Sequence, residues 1–113
     1  IEHGEVTTIP GPQLSMMAGL NCGTPSLIAW PDVSAGYDTF VTITDDQVAD
    51  AMRLLAVDGI VSGESGAAGL GGLLAHRDVL GINDSDSVLV ISTEGATDLA
   101  NYRSIVGAEA SPA

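Results

Sequence analysis

The segment from residue 39 to residue 55 constrains the fold most strongly, because a strand pattern runs directly into a helix pattern. Residues 39–43 (TFVTI) are rich in β-branched side chains and alternate in polarity, which predicts a strand. Residues 44–47 (TDDQ) have the spacing of a capping box, in which Thr44 is the N-cap and Gln47 reaches back to its amide. The apolar residues that follow recur at helical spacing, at Val48, Ala51, Met52 and Leu55. The sequence therefore predicts a strand followed by a helix that packs on a sheet.

Two further strand and helix patterns follow along the chain. Residues 59–62 predict a short strand, and the small apolar residues 67–75 predict a helix that must be buried and tightly packed, since glycines lower helix propensity. Residues 88–91 predict a strand that is apolar on both faces, and a last helix through 99–105 is capped by Thr97 or Asp98 and closed by Gly107. This alternation predicts an α/β fold with a parallel sheet and flanking helices.

The rest of the chain carries weaker signals. We expect residues 1–13 to be irregular after a β-like run at 6–9, and residues 26–30 to form a helical turn or two that ends at Pro31. The tail 108–113 is expected to be loose. A length of 113 residues fits one compact unit, so we expect residues 1–113 to form a single α/β domain.

Charge and residue counts exclude several classes of partner. The formal net charge is −12, from fifteen acidic residues against three arginines and no lysine. Phosphate backbones and anionic membrane surfaces would repel such a chain, and no apolar run is long enough to span a bilayer. We therefore expect neither a nucleic-acid partner nor a membrane partner. The single cysteine, Cys22, cannot form an internal disulfide, which suits the cytoplasm, and with two histidines no Cys/His metal site is expected.

Candidate chemistry lies where two predicted strands end, since ligands of parallel sheets bind beyond the carboxyl ends of the strands. Residues 62–66 (SGESG) and 92–95 (STEG) each combine hydroxyls, a carboxylate and glycines that allow close approach to a ligand. The alternative is that they are helix starts, with Ser65 and Thr97 as N-caps and the glycines as turn residues. The glycine-rich residues 66–72 match neither the Walker pattern nor the GxGxxG motif of nucleotide-binding loops, and the chain has no GxSxG nucleophile motif.

Three segments of the chain resemble diaminopropionate ammonia-lyases. They are MAGLNCG at 17–23, SGESGA at 62–67 and STEGATD at 92–98, in the family's order and at about its spacing. The resemblance implies a tryptophan-synthase-β-like enzyme of fold type II, which binds pyridoxal phosphate between two α/β domains. This chain would be the C-terminal portion of the larger domain, with the catalytic lysine and the glycine-rich phosphate loop upstream. A chain that begins at Ile1 and contains no lysine is then expected to be a piece of a longer enzyme, inactive alone.

The resemblance also implies roles for individual residues. Glu64, preceded by Gly63, would occupy the position of the carboxylate beside the cofactor ring. Thr93 would hydrogen-bond the pyridine nitrogen, although alignment on other members of the superfamily places Ser92 there instead. A neutral hydroxyl at that nitrogen does not enforce its protonation, so the ring becomes a moderate electron sink that suits elimination.

The implied reaction is α,β-elimination of 2,3-diaminopropionate to pyruvate and ammonia, by an enzyme that is a homodimer in the cytoplasm. Two alternatives stay open. One is another β-eliminating lyase of the serine/threonine dehydratase type, against which the segments at 17–23 and 92–98 argue. The other is an acidic α/β module that binds a partner or small ligand without catalysis.

Overall fold

The computed structural model of the chain describes residues 1–107. Over this range it contains a short 3-10 helix at Ala18–Leu20 and four α-helices: α1 at Trp30–Gly36, α2 at Asp45–Val57, α3 at Glu64–His76 and α4 at Leu99–Val106. None of these helices within residues 1–107 is long and apolar enough to cross a membrane. The loose tail expected at 108–113 lies outside the described residues.

Helix α2 begins as the sequence predicts. The side-chain oxygen of Thr44 accepts a hydrogen bond from the Gln47 amide at 3.3 Å, and the Gln47 Oε1 accepts one from the Thr44 amide at 2.8 Å. Both halves of the capping box are therefore present. The predicted apolar stripe is buried at Val48, Ala51 and Met52, which confirms the helix and the face that it packs.

The core forms where α2 packs on α3 and α4. Val48, Ala51 and Met52 of α2 are at most 1% exposed, and they cluster with Ala67 of α3 and Tyr102 of α4. Met17 closes this cluster from the segment that precedes α1. The packing of buried apolar groups is the main term that stabilises such a cluster.

Helix α4 confirms one of its two predicted caps. The Asp98 side chain accepts a hydrogen bond from the Asn101 amide at 3.0 Å, so Asp98 rather than Thr97 is the N-cap. Gly107 ends the helix in the left-handed conformation, with φ of 74°, which glycine adopts without a steric penalty.

Helix α3 begins earlier than predicted, at Glu64 rather than at residue 67, and its N-cap is Gly63 rather than Ser65. Its predicted tight packing is confirmed. A Cβ atom placed on a helix glycine would lie 3.3 to 3.4 Å from a side chain of a predicted strand, in the pairs Gly69 with Val90, Gly71 with Ile43 and Gly72 with Val41. The glycines thus let α3 approach segments 39–43 and 88–91 closely.

The predicted parallel sheet is absent from residues 1–107. Segments 6–9, 39–43, 59–62 and 88–91 are not helical, but none is a strand. A sheet requires a repeated ladder of backbone hydrogen bonds, whereas the bond from the Gly63 amide to the Glu94 carbonyl oxygen at 3.0 Å lies just beyond segments 59–62 and 88–91 and is not repeated between them in residues 1–107. Segments 39–43 and 88–91 contact α3 through side chains instead of pairing with each other.

Residues 26–30 form a helical turn as predicted, since the Trp30 amide donates to the Ser26 carbonyl oxygen at 3.0 Å, but the turn does not end at Pro31 and leads into helix α1. The helix begins at Trp30, with Pro31 inside its first turn, and continues to Gly36. Proline is compatible with this position because the first amides of a helix have no partner within the helix. Pro31 therefore marks the start of a helix rather than the end of one.

Candidate functional site

The two segments singled out at predicted strand ends are in contact in the structure. The Gly63 amide donates to the Glu94 carbonyl oxygen at 3.0 Å, and the Ser62 and Ser92 hydroxyl oxygens are 2.8 Å apart. Ser62 is 1% exposed, so this hydroxyl pair is shielded on one side from water. Segments 62–66 and 92–95 therefore form one cluster at the N-terminus of α3.

Glu64, the first residue of α3, carries a buried carboxylate. It is 6% exposed, and its Oε1 accepts a hydrogen bond from the Asn101 side-chain amide of α4. A buried carboxylate is costly unless it is hydrogen-bonded, and its position at a helix N-terminus is electrostatically favourable. Glu64 is thus oriented by α4 rather than by its own helix alone.

The glycines of segment 62–66 allow the two segments to touch. A Cβ atom on Gly63 would overlap the Gly95 carbonyl oxygen. A Cβ atom on Gly66 would lie 2.7 Å from the Ser62 hydroxyl and 2.9 Å from the Glu94 amide nitrogen. Both positions require glycine because another segment occupies the space that a side chain would need.

Ser92 and Thr93, the two alternatives for the same role, have different surroundings. Ser92 bonds to Ser62. The Thr93 hydroxyl has no hydrogen-bond partner within residues 1–107, and Thr93 lines a groove of about 560 Å³ together with Val41, Gly69 and Val90. One hydroxyl is therefore engaged beside segment 62–66, and the other is free beside an apolar groove.

Sequence reasoning missed three residues of this cluster. Ser62 pairs with Ser92, Asn101 holds Glu64, and the Glu94 carboxylate accepts hydrogen bonds from the Ser65 amide at 3.2 Å and the Thr97 hydroxyl at 2.5 Å. Ser62 and Glu94 lie inside the quoted segments but had no assigned role. Asn101 lies outside every motif, so no sequence signal could have found it.

The third segment quoted for the resemblance, at 17–23, reaches the same place. The Gly19 amide donates to the Ser65 hydroxyl at 3.0 Å. Just upstream, the Asp45 carboxylate of α2 accepts hydrogen bonds from the Ser15 hydroxyl at 2.6 Å and the Met16 amide at 3.0 Å. These two bonds lower the pKa of Asp45 below its ordinary value of 3.8. All three segments thus converge on the first turn of α3.

The cluster offers hydrogen-bonding groups rather than a nucleophile. It presents neutral hydroxyls at Ser92 and Thr93 and a buried carboxylate at Glu64, and the sequence holds no lysine. Within residues 1–107 no group of three histidine, cysteine, aspartate or glutamate side chains could hold a metal ion. These groups can bind and orient an aromatic heterocycle, while an amine would have to come from outside this chain.

Comparison with protein families decides the wider assignment. The model of the family described as "Pyridoxal-phosphate dependent enzyme" matches residues 1–94. The chain belongs to this family. The match includes Gly63, Glu64, Ser92 and Thr93, so every candidate residue lies within the part of the chain that defines membership of this enzyme family.

Two similar proteins indicate which members of the family this chain resembles. The diaminopropionate ammonia-lyase of Escherichia coli strain K12 is 37% identical over 117 residues, which cover 91% of this chain and 29% of the relative. The diaminopropionate ammonia-lyase of Salmonella typhimurium strain LT2 is 35% identical over 123 residues, which cover 94% of this chain and 30% of the relative. The resemblance seen in the sequence is confirmed, and the chain spans somewhat less than a third of each relative.

Two solved structures of the Escherichia coli diaminopropionate ammonia-lyase are similar to this chain. One is a complex with an aminoacrylate-PLP azomethine reaction intermediate; it has a TM-score of 0.70 at 37% identity and covers 82% of this chain and 28% of that one. The other is the selenomethionine-substituted holo form. It has a TM-score of 0.73 at 36% identity, and the similarity covers 93% of this chain and 29% of that one. These similarities confirm the predicted fold family, although the sheet itself is not formed in residues 1–107.

Proposed function

We propose that the full-length protein carrying this chain is a pyridoxal-phosphate-dependent ammonia-lyase that converts 2,3-diaminopropionate to pyruvate and ammonia. One observation carries the proposal: the three segments that resemble this family converge on the first turn of α3, in a chain 37% identical to a diaminopropionate ammonia-lyase.

The candidate residues fit pyridoxal phosphate by their chemistry. A pyridine nitrogen accepts a hydrogen bond, and the Thr93 hydroxyl is a donor without a partner in the described part of the chain. Thr93 is therefore our first assignment for this contact, with Ser92 as the alternative because it lies beside segment 62–66. When bound, pyridoxal phosphate supplies the electron sink that stabilises negative charge at the substrate α-carbon.

The residues of this chain would hold the cofactor ring rather than react with the substrate. Glu64, fixed by Asn101, would place a negative charge beside the ring, and Gly63 would let the backbone come close to it. The hydroxyl at the ring nitrogen would orient the ring without forcing its protonation. The lysine that binds the cofactor would be supplied by the rest of the protein, because this sequence has none.

The finer features of fold and assembly belong to the same proposal. We propose that segments 39–43, 59–62 and 88–91 pair into a parallel sheet in the full-length protein, and that residues 1–113 form part of its large α/β domain. The packing of α3 on Val41 and Val90 supports this arrangement, since helices cover parallel sheets in this way. A cytoplasmic homodimer of fold type II is proposed on the resemblance, and the single cysteine suits a reducing compartment.

The direct test is substrate profiling of the full-length protein. We expect cofactor absorbance in the purified protein and pyruvate release from 2,3-diaminopropionate well above that from serine. Release of 2-oxobutyrate from threonine, or of pyruvate from serine alone, would assign the protein to the dehydratase class instead. A protein that binds no pyridoxal phosphate and releases no pyruvate would support a non-catalytic module.

Glu64→Gln tests the carboxylate beside the ring. Glutamine can still accept the bond from Asn101, so the fold and cofactor should be retained while the charge is lost. We expect a shifted cofactor spectrum and a kcat at least about tenfold lower, a loss of about 1.4 kcal/mol of transition-state stabilisation. Asp46→Asn removes a charge from the first turn of α2 and serves as the control. If both variants keep the spectrum and kcat and lose only stability, Glu64 is an ordinary helix-start residue.

Paired variants at residues 92 and 93 decide which hydroxyl meets the ring. Thr93→Val keeps the shape but removes the donor, and we expect it to weaken cofactor or transition-state binding by about 1–3 kcal/mol. Titration of the apoprotein with pyridoxal phosphate and steady-state kinetics measure the change. A silent Thr93→Val together with an impaired Ser92→Ala would move the assignment to Ser92.

A further inference from the structure

Glu94 joins the starts of two helices through its carboxylate. One oxygen accepts a hydrogen bond from the Ser65 amide in the first turn of α3, at 3.2 Å. The other accepts from the Thr97 hydroxyl just before α4, at 2.5 Å. With both oxygens engaged, the side chain is held in one orientation.

The backbone of Glu94 is fixed at the same time. Its carbonyl oxygen accepts the bond from the Gly63 amide at 3.0 Å, and the space around it is so confined that Gly66 could not carry a side chain. Glu94 therefore contacts segment 62–66 through both its main chain and its side chain. A shift of segment 92–95 along α3 would break all of these contacts together.

Helix α3 needs this carboxylate because its own N-cap has no side chain. The first amides of a helix lack partners within the helix, and a side-chain oxygen at the N-cap usually accepts one of them. Gly63 cannot do so, and no side-chain cap is present at that residue. The negative charge of Glu94 also lies at the positive end of the helix dipole.

The consequence concerns the spacing of the candidate site. Ser92 and Thr93 precede Glu94 directly, and Glu64 precedes Ser65, so the bond from Ser65 to Glu94 sets the distance between the two sides of the site. We propose that Glu94 is a positioning residue, which holds the hydroxyl at residue 92 or 93 in register with Glu64 and so determines how tightly pyridoxal phosphate is held. The inference rests on the proposed function.

The test uses the full-length protein with Glu94→Ala, Glu94→Gln and, as a matched control, Thr44→Ala. The control removes a helix N-cap that does not touch segment 92–95. We expect Glu94→Ala to raise the Kd of the apoprotein for pyridoxal phosphate by about tenfold, which corresponds to about 1.4 kcal/mol. Glu94→Gln should raise it less, because its amide oxygen can still accept the bond from Ser65. Thr44→Ala should leave the Kd within about twofold, a shift of less than about 0.5 kcal/mol.

Hydrogen exchange of the apoprotein gives a readout that does not depend on the cofactor. The amides of Gly63 and Ser65 should exchange faster in Glu94→Ala than in the parent and remain unchanged in Thr44→Ala.

Faster exchange with an unaltered Kd and cofactor spectrum would make Glu94 a helix cap alone and overturn the inference. Equal cofactor loss in Glu94→Ala and Thr44→Ala would overturn it too, as general destabilisation. If Glu94→Ala fails to fold, the Kd and spectrum of Glu94→Gln decide the question. An unmodified protein that binds no pyridoxal phosphate would instead refute the proposed function.

Discussion

The first turns of α2 and α3 are stabilised in opposite ways. Helix α2 uses residues within its own first turn, where Thr44 and Gln47 satisfy each other's amides. Helix α3 has a glycine as its N-cap, and its Ser65 amide donates to the carboxylate of Glu94, which is 29 positions away. The start of α2 can form wherever the helix forms, whereas the start of α3 is complete only when the tertiary structure has brought segment 92–95 to it.

The two first turns also differ in their hydrogen bonds to neighbouring segments. Asp45 in the first turn of α2 accepts bonds from Ser15 and Met16, so this helix holds a neighbouring segment in place. The first turn of α3 is held by its neighbours instead, through Gly19 on one side and Glu94 on the other. A helix start built from distant segments is suited to a site whose parts must keep a fixed separation, because each part constrains the other.

The largest loss of stability is expected at Gly66, where segment 62–66 contacts segment 92–95. In the full-length protein, Gly66→Ala would drive a Cβ atom against Ser62 and Glu94 and should lower the free energy of unfolding by roughly 3 kcal/mol, the upper part of the overpacking range. Gly69→Ala in the same helix meets Val90 at 3.4 Å and gains helix propensity, so it should be close to neutral. Urea unfolding compares the two. Equal losses would mean that the close approach of Ser62 and Glu94 to Gly66 does not determine the cost of the substitution.

A smaller loss of stability is expected at the start of α2, which is capped by residues within its own first turn. Thr44→Ala removes the N-cap oxygen of α2 and should cost about 1 kcal/mol, while Thr44→Ser keeps the hydroxyl and should recover most of it. Thermal unfolding of the full-length protein measures both. If Thr44→Ala also disturbed amide exchange at Ser65, the two helix starts would be coupled, and the contrast between them would be lost.

The smallest effect is a pH dependence at Asp45. Hydrogen bonds from Ser15 and Met16 lower its pKa below 3.8, so its ionised form contributes stability that is complete above the unfolded-state pKa and is lost as the pH falls through the folded-state pKa. The difference in Tm between the parent and Asp45→Asn should therefore be constant near neutral pH and shrink below pH about 4. Asp46→Asn, in the same turn and exposed, is the control. A difference that persisted unchanged to pH 3 would contradict the role of the charge.

These two helix starts also show what the sequence can and cannot predict. The sequence predicted α2 in full, because its cap and its apolar stripe depend on residues a few positions apart. It placed the start of α3 too late, because Gly63 gives no capping signal and the carboxylate that serves α3 is distant. The predicted sheet is not formed in residues 1–107 for a related reason: β-branched runs predict extended segments but not which segments pair.

The candidate site was predictable in part. The resemblance of segments 62–67 and 92–98 to one family anticipated that they belong to one site, and the structure brings them into contact. The hydrogen bond from Asn101 to Glu64 spans 37 positions and has no motif, so only the packing of α4 reveals it. The different surroundings of Ser92 and Thr93 were likewise invisible in a sequence in which the two residues are adjacent.

The glycines of α3 have a consequence for cooperativity. Gly69, Gly71 and Gly72 each cost on the order of 1 kcal/mol of helix propensity relative to alanine, so α3 depends on contacts with Val41, Ile43 and Val90 for its existence. Displacing either segment 39–43 or segment 88–91 would remove support that this weak helix cannot replace. The helix would then unwind and release Glu64 and Ser65 together. We therefore expect the loss of either segment to loosen the first turn of α3 as well, because one weak helix carries both regions.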